Sequence, residues 1–292
     1  MHRRIRSIRL INSSTLLIYD AILTREARIS DLDERTRFRI DSIGIGTFTN
    51  CISKRLFSQV TKGLSAELKA DKFVLEARSL SKSFGDRTLF TEVNLEIRPG
   101  EMSALLGPSG LGKSTLLNCL EGVETYDSGS VVIDNQTLES LDEDQMALLR
   151  REKIGTIFQF FHLLPTLTAF ENIELPLQLI GMPEEERLQC VFSLLKRLNI
   201  DHRGDAFPAQ LSGGEMQRIA IARAIAHRPK IIFADEPTGN LDEKSGREAL
   251  QLLTELCQEI NTGLLMVTHS QDAAAYCDFR YTLADERLIQ NA

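Results

Sequence analysis

Gly107-Pro108-Ser109-Gly110-Leu111-Gly112-Lys113-Ser114-Thr115 follows an apolar run with strand character, residues 102–106, and leads into an apolar stretch with helical character. The pattern is G-x-x-x-x-G-K-[ST], a phosphate-binding loop between a strand and a helix. Its glycines let the backbone curl so that successive N–H groups point inward at phosphate oxygens. The helix starting near Lys113 adds its positive end. Lys113 is placed to reach the β- and γ-phosphates, and Ser114 to ligate Mg²⁺. A chance match in a Gly-rich turn arises about once in a hundred chains of this length. The flanking strand and helix make chance a poor account, so the stretch marks a nucleoside triphosphate site.

A second stretch, Lys230-Ile231-Ile232-Phe233-Ala234-Asp235-Glu236, reads as a strand buried on both faces of a parallel sheet. Two carboxylates at such an end are costly unless a cation or a substrate uses them. Asp235 is suited to hold Mg²⁺ through water and Glu236 to polarise an attacking water as general base. Taken alone, the pair also fits a helix cap; the phosphate loop upstream favours the chemical reading. A third stretch, Leu211-Ser212-Gly213-Gly214-Glu215-Met216-Gln217-Arg218, opens with a good N-cap and two glycines that permit close backbone approach to an anion. It reads as a second phosphate receptor, which a single nucleotide site does not need. An ordinary capped helix is the competing reading.

These three stretches, in this order, resemble the ABC transporter nucleotide-binding domain, the third being similar to its signature motif. The resemblance covers residues 73–292. It implies an α/β P-loop NTPase fold with a RecA-like core sheet, an antiparallel β-subdomain and a helical signature subdomain. It also implies ATP and Mg²⁺ as ligands, and ATP hydrolysis coupled to transport. Phe84 resembles the aromatic that stacks on adenine, with core packing as its alternative. Gln159 resembles the glutamine that touches Mg²⁺ or the attacking water and senses a membrane partner; a buried structural Gln is its alternative. His269 resembles the switch histidine that contacts the γ-phosphate and supports Glu236, and Asp242 resembles the aspartate at the dimer interface. Glu236 and His269 are both present, which speaks against a non-hydrolysing nucleotide-binding regulator.

Two further stretches are similar to the group typified by LolD, MacB and FtsE: Gln159-Phe160-Phe161-His162-Leu163-Leu164-Pro165, and Asp235-Glu236-Pro237-Thr238-Gly239-Asn240-Leu241-Asp242. The resemblance implies a homodimer, or a paired nucleotide-binding subunit, that drives a separate integral membrane permease from the cytoplasmic face of the plasma membrane. Phe160, Phe161, Leu163 and Leu164 are candidates for the permease dock, or else for burial between subdomains. The rival is a soluble ABC ATPase acting on DNA or the ribosome. Against it stand the short helical region between Gln159 and Ser212 and the presence of one nucleotide domain rather than two.

Composition agrees. The 292 residues are 42% hydrophobic, enough to bury a sizeable core, and no run of 18 apolar residues marks a membrane span. Residues 73–292 carry 20 Lys/Arg against 33 Asp/Glu, a net −13, unlike the basic footprint of a nucleic-acid binder. The five cysteines, Cys51, Cys119, Cys190, Cys257 and Cys277, are scattered without metal-ligand spacing and suit a reducing compartment.

Residues 1–72 differ, with 14 Lys/Arg against 8 Asp/Glu and Arg3, Arg4, Arg6 and Arg9 before any acid. An accessory segment, an over-long gene model and a transit peptide all fit that composition. In the main domain, strands are expected at residues 73–78, 93–97, 102–106, 129–133, 154–158, 230–234 and 263–268. Helices are expected at 184–200, with Leu188, Val191, Leu194, Leu195 and Leu198 on one face, and at 243–260.

Overall fold

The computed structural model describes residues 73–108 and 110–291, all within one unit, Glu67–Ala292. The expectations for residues 1–72 and for Ser109 lie outside the described residues.

The chain opens with β1 (Leu75–Phe84) and β2 (Arg87–Ile97), then β3 (Met102–Leu106) and α1 (Lys113–Leu120). Next come β4 (Ser128–Ile133), β5 (Gln136–Thr137), α2 (Glu143–Lys153) and β6 (Ile154–Ile157). Three helices follow, α3 (Ala169–Leu179), α4 (Glu184–Arg197) and α5 (Gly213–Ile225), before β7 (Ile231–Asp235). The last part is α6 (Glu243–Glu259), β8 (Gly263–Val267), α7 (Gln271–Ala274), β9 (Phe279–Ala284) and β10 (Arg287–Gln290).

Two sheets result. One is four-stranded and antiparallel, in the order β2-β1-β4-β5; the other is six-stranded, in the order β10-β9-β3-β8-β7-β6. In the larger sheet only β10 runs antiparallel to its neighbour. Every residue of β3 and β8 is buried, because both faces of the sheet are covered. Alternation along the strands sorts the side chains into two cores. Met102, Ala104, Ile232, Ala234, Leu264 and Met266 pack with the helices. Leu105, Ile231, Phe233, Leu265 and Val267 pack with α1 and the antiparallel sheet.

The seven expected strands are present, with β1 running six residues further, to Phe84, and β2 starting as early as Arg87. The sequence reading did not foresee β9 and β10. At β10 three of four residues are exposed, so it carries no burial pattern to read. The expected 184–200 helix stops at Arg197, with Asn199 in a left-handed conformation at φ 55. Its apolar face is also narrower than expected: Val191, Leu195 and Leu198 are buried while Leu188 is exposed. No thiol of Cys119, Cys190, Cys257 or Cys277 is in a disulfide. Among the described residues no group of His, Cys, Asp and Glu could hold a metal as a cluster.

One buried charge-bearing group stands out. Glu121, at the end of α1, is 5% exposed. Its Oε2 accepts from the Thr156 hydroxyl at 3.3 Å, while its Oε1 has no partner. Burial pushes this carboxyl from 4.5 up to about 8, outweighing the Thr156 bond; the negative Asp235 adds to the rise. Between those two values the unfolded chain ionises while the folded chain must keep its proton, so stability falls as pH rises, by up to about 1.4 kcal/mol per unit. Glu121→Gln removes that dependence. Melting temperatures measured from pH 5 to 8 should show the variant gaining steadily on the parent, from whatever constant offset the amide introduces; parallel curves would refute the assignment.

Candidate functional site

The phosphate loop is set by the end of β3 and by two glycines that no other residue can replace without cost. Gly107 sits at φ 144, where a Cβ would lie 3.0 Å from the Leu283 carbonyl oxygen. Gly112, the residue before α1, sits at φ 93 with a Cβ position 3.1 Å from the Leu89 Cβ. Both are left-handed conformations that a side chain disfavours. The loop carries its lysine inward. Lys113 is buried, and its Nζ donates to the carbonyls of Gly107 and Pro108 at 2.7 and 2.8 Å. From the neighbouring sheet Arg87 donates to the Gly110 carbonyl at 2.7 Å.

The acidic pair arrives on β7 and the histidine on the loop after β8, and these two strands are parallel neighbours. Their carboxyl ends therefore meet the loop that leaves β3, the usual place for a ligand in an open α/β sheet. Asp235 is bonded by the Ser114 hydroxyl. Burial raises its pKa; the Ser114 bond opposes that, the nearby Glu236 charge adds to it and Lys113 counters it. Glu236 takes a left-handed backbone, φ 45, while its N–H donates to the Val267 carbonyl at 2.9 Å. Its Oε1 lies 2.8 Å from His269 Nδ1. Because an ionised carboxylate only accepts, Nδ1 carries the hydrogen in this contact. Gln159, just beyond β6, is half-buried, and its carbonyl accepts from Asn240 Nδ2 at 2.6 Å.

These groups share one cleft of about 470 Å³, which also takes in Phe84, Gly110, Gly112 and Thr115. Phe84 is 51% exposed at the end of β1, so core packing is not its role. Lys82 Nζ lies 4.6 Å from its ring centre, a cation–π contact on the aromatic face. Hard oxygen donors, the Ser114 hydroxyl, the Asp235 carboxylate and the Gln159 side-chain oxygen, come from three elements lining this cleft. That set suits Mg²⁺, and a cation there would offset the burial of Asp235.

Several expected ligands do not line this cleft. Ser212 caps α5, accepting from the Glu215 N–H at 3.3 Å while Glu215 reaches back to the Ser212 N–H at 2.8 Å. Those bonds hold the Glu215 carboxyl below its ordinary range. Gly213 and Gly214 open that helix, packed beside Leu241 and Ser245. Asp242 caps α6, accepting from the Ser245 N–H at 3.0 Å and hydroxyl at 2.6 Å, contacts that lower its pKa. Leu111 packs partly buried against the antiparallel-sheet core.

The sequence reading missed Arg87, Leu89 and Val267, which also line the cleft. Arg87 opens β2 after the turn at Gly85-Asp86; nothing in its spacing ties it to residue 110. Of the apolar stretch after Gln159, Phe160 and Leu164 are exposed, 65% and 42%, whereas Leu163 packs on the helical core. Burial between subdomains thus accounts for Leu163 and not for Phe160 or Leu164.

The chain is similar to known proteins over this same stretch. A sequence model of the family described as ABC transporter matches residues 90–239. The ABC transporter ATP-binding protein YbbA of Escherichia coli K12 is 44% identical over 75% of this chain and 98% of its own. The lipoprotein-releasing system ATP-binding protein LolD of Legionella pneumophila (strain Lens) is 43% identical over 70% and 92%. Among solved structures, the ATP-binding cassette MJ0796, a dimer in a post-hydrolysis state with ADP and Pi, is 38% identical. It matches with a TM-score of 0.68 over 74% of this chain and 97% of that one.

The exposure of Phe84 gives a clean test. Phe84→Ala should leave the melting temperature almost unchanged, whereas Phe90→Ala, at a residue with no exposed surface, should cost about 3–5 kcal/mol. Stacking on a base is worth about 1–3 kcal/mol, so ATP should bind Phe84→Ala roughly five- to 150-fold more weakly. Unchanged affinity by calorimetry would remove Phe84 from the site.

Proposed function

The chain belongs to the ABC transporter family as an ATP-binding, ATP-hydrolysing subunit, and from that premise we propose how its own residues bind ATP, cut it and drive a membrane partner. The observation that carries the reading is the cleft in which Lys113, Ser114, Asp235, Glu236, His269 and Gln159 converge.

In this reading the adenine stacks on Phe84 and the phosphates lie in the loop 107–115. The loop N–H groups and the first turn of α1 take the phosphate oxygens. Lys113 turns from the Gly107 and Pro108 carbonyls to the β- and γ-phosphates, trading two neutral acceptors for charged ones. Ser114, Asp235 and Gln159 would hold Mg²⁺, which supplies neutralisation of charge on the β- and γ-oxygens. Glu236 accepts the proton of the attacking water. His269, donating through Nδ1, fixes the direction of that carboxylate and leaves Nε2 on the side of the ring turned away from it. The left-handed Glu236 backbone is a strain that active sites commonly retain.

Ser212, Gly213 and Gly214 form a second anion receptor away from the cleft. We assign it to the ATP of a second subunit, so that two ATP molecules are sandwiched between the Lys113 loop of one copy and the Ser212 helix of the other. Closure follows ATP binding, and hydrolysis reopens the pair. Asp242, capping α6 beside Gly214, lies at that interface. Among the described residues no helix is long and apolar enough to cross a membrane. A separate integral membrane permease then receives the motion, at the cytoplasmic face and in the manner of the lipoprotein-release and exporter group, with exposed Phe160 and Leu164 offered for contact.

ATP hydrolysis measured against protein concentration tests this. Turnover should rise faster than linearly at low concentration. Glu236→Gln should keep ATP affinity and lose at least about a hundredfold in kcat, the usual contribution of a general base. Normal turnover in that variant would sink the assignment of the base; a strictly linear rate would sink the sandwich as the minimal active unit.

A further inference from the structure

The segment that follows Gln159 makes a tight turn in which two successive residues with side chains, Phe161 and His162, hold left-handed backbones at φ 62 and 46. Such conformations persist only where surroundings enforce them. The turn closes through its own backbone, the Phe161 N–H donating to the Phe158 carbonyl at 3.1 Å and the His162 N–H to the Phe160 carbonyl at 2.6 Å, and Arg223 braces it from outside. Its Nη2 donates to the Phe161 carbonyl at 2.7 Å and its Nη1 to the His162 carbonyl at 2.6 Å. Among the described residues no carboxylate pairs with this guanidinium, and burial lowers its pKa without a charged partner to oppose it. A half-buried charge matched by two peptide oxygens, with no carboxylate partner among the described residues, serves geometry more than stability.

Arg223 also stands at a particular place. It lies in the last turn of α5, whose first residues follow Ser212. Ten residues of helix lie between Ser212 and Arg223, a rise of about 16 Å. The turn itself is held elsewhere by neutral groups: Asn240 bonds the Gln159 carbonyl at 2.6 Å, and Asn172 bonds Leu164 at 2.8 and 3.1 Å. The His162 ring stacks on Phe158 with centres 4.5 Å apart, closing the turn back on the residue beside Gln159.

We propose that Arg223 is a positioning residue that fixes Gln159 relative to the Ser212 helix, a strut between the two half-sites that one chain contributes to the dimer. Its two bonds make the turn follow α5, so that movement of the Ser212 end is felt at Gln159. The proposal rests on the roles given above to Gln159 and Ser212. Lysine keeps the charge and loses the planar fork that bonds two carbonyls at once, so Arg223→Lys separates geometry from charge.

The test is a double-mutant cycle on steady-state ATP hydrolysis with Gln159→Ala, with melting temperatures of each protein measured alongside. Arg223→Lys should lower kcat about tenfold with KM for ATP within about twofold. In the Gln159→Ala background the same change should have no further effect, since residues that act through one another are not additive. A kcat unchanged by Arg223→Lys, or lowered equally in both backgrounds, overturns the strut and leaves the ATPase reading standing. If Gln159→Ala itself leaves kcat unchanged, the role given to Gln159 falls and the strut with it. Should Arg223→Lys melt below the assay temperature, Arg223→Gln passes through the same cycle: loss of kcat confined to the Gln159 background supports the strut, and equal loss in both overturns it.

Discussion

Parallel strands β3, β8, β7 and β6, buried between two layers, leave little freedom in where charge can be held. Along β3 and β8 every side chain is enclosed, and an ionised group in that interior would lose its hydration without return. Polar chemistry is therefore driven to the carboxyl ends of the strands, where the chain turns and backbone N–H groups become free. Lys113, Asp235, Glu236, Gln159 and His269 all follow strands of this one sheet or the helix it feeds. Their convergence is a consequence of the sheet order β3-β8-β7-β6, which places in adjacent lanes ends that are far apart in sequence.

The same enclosure sets the electrostatics. Asp235 is pushed towards its protonated form by burial and drawn back by Ser114 and Lys113, so the carboxylate is poised for a cation that completes its environment. Glu121, at the far end of the same helix, is more deeply buried; the Thr156 hydroxyl and the Arg150 charge offset only part of that cost, and one of its oxygens is unpartnered. In the proposed mechanism the first acid is completed by a ligand, whereas the second is a tolerated cost in the layer behind it.

In the proposed mechanism a single chain supplies two receptors for phosphate on separate elements, the loop before α1 and the capped start of α5. Their separation is what makes a second copy part of the functional unit in the proposed mechanism. Within one copy the link between them passes through helix α5 and the turn at Phe161-His162. Because that turn is strained and Arg223 ties it to α5, the proposed mechanism gives small helix movements a short path to Gln159.

The sequence by itself determined the family, the four parallel strands β3, β6, β7 and β8 of the core sheet, and the cleft's polar residues apart from Arg87. It could do so because a phosphate loop, a buried strand ending in two acids and a capped glycine-rich helix are local patterns, each written in contiguous residues. Where the period of burial was clear, as along residues 102–106 and 263–267, the strands were legible. At β10, mostly exposed, they were not, and Leu188 kept a helical period although its side chain stays exposed. Only the tertiary structure decided that Phe84 lies open beside the loop, that Arg87 reaches Gly110, and that Ser212 stands outside the cleft. It also decided that Arg223 grips a turn more than sixty residues earlier. Such contacts depend on how layers and strand ends come together in space, and no spacing along the chain encodes that distance.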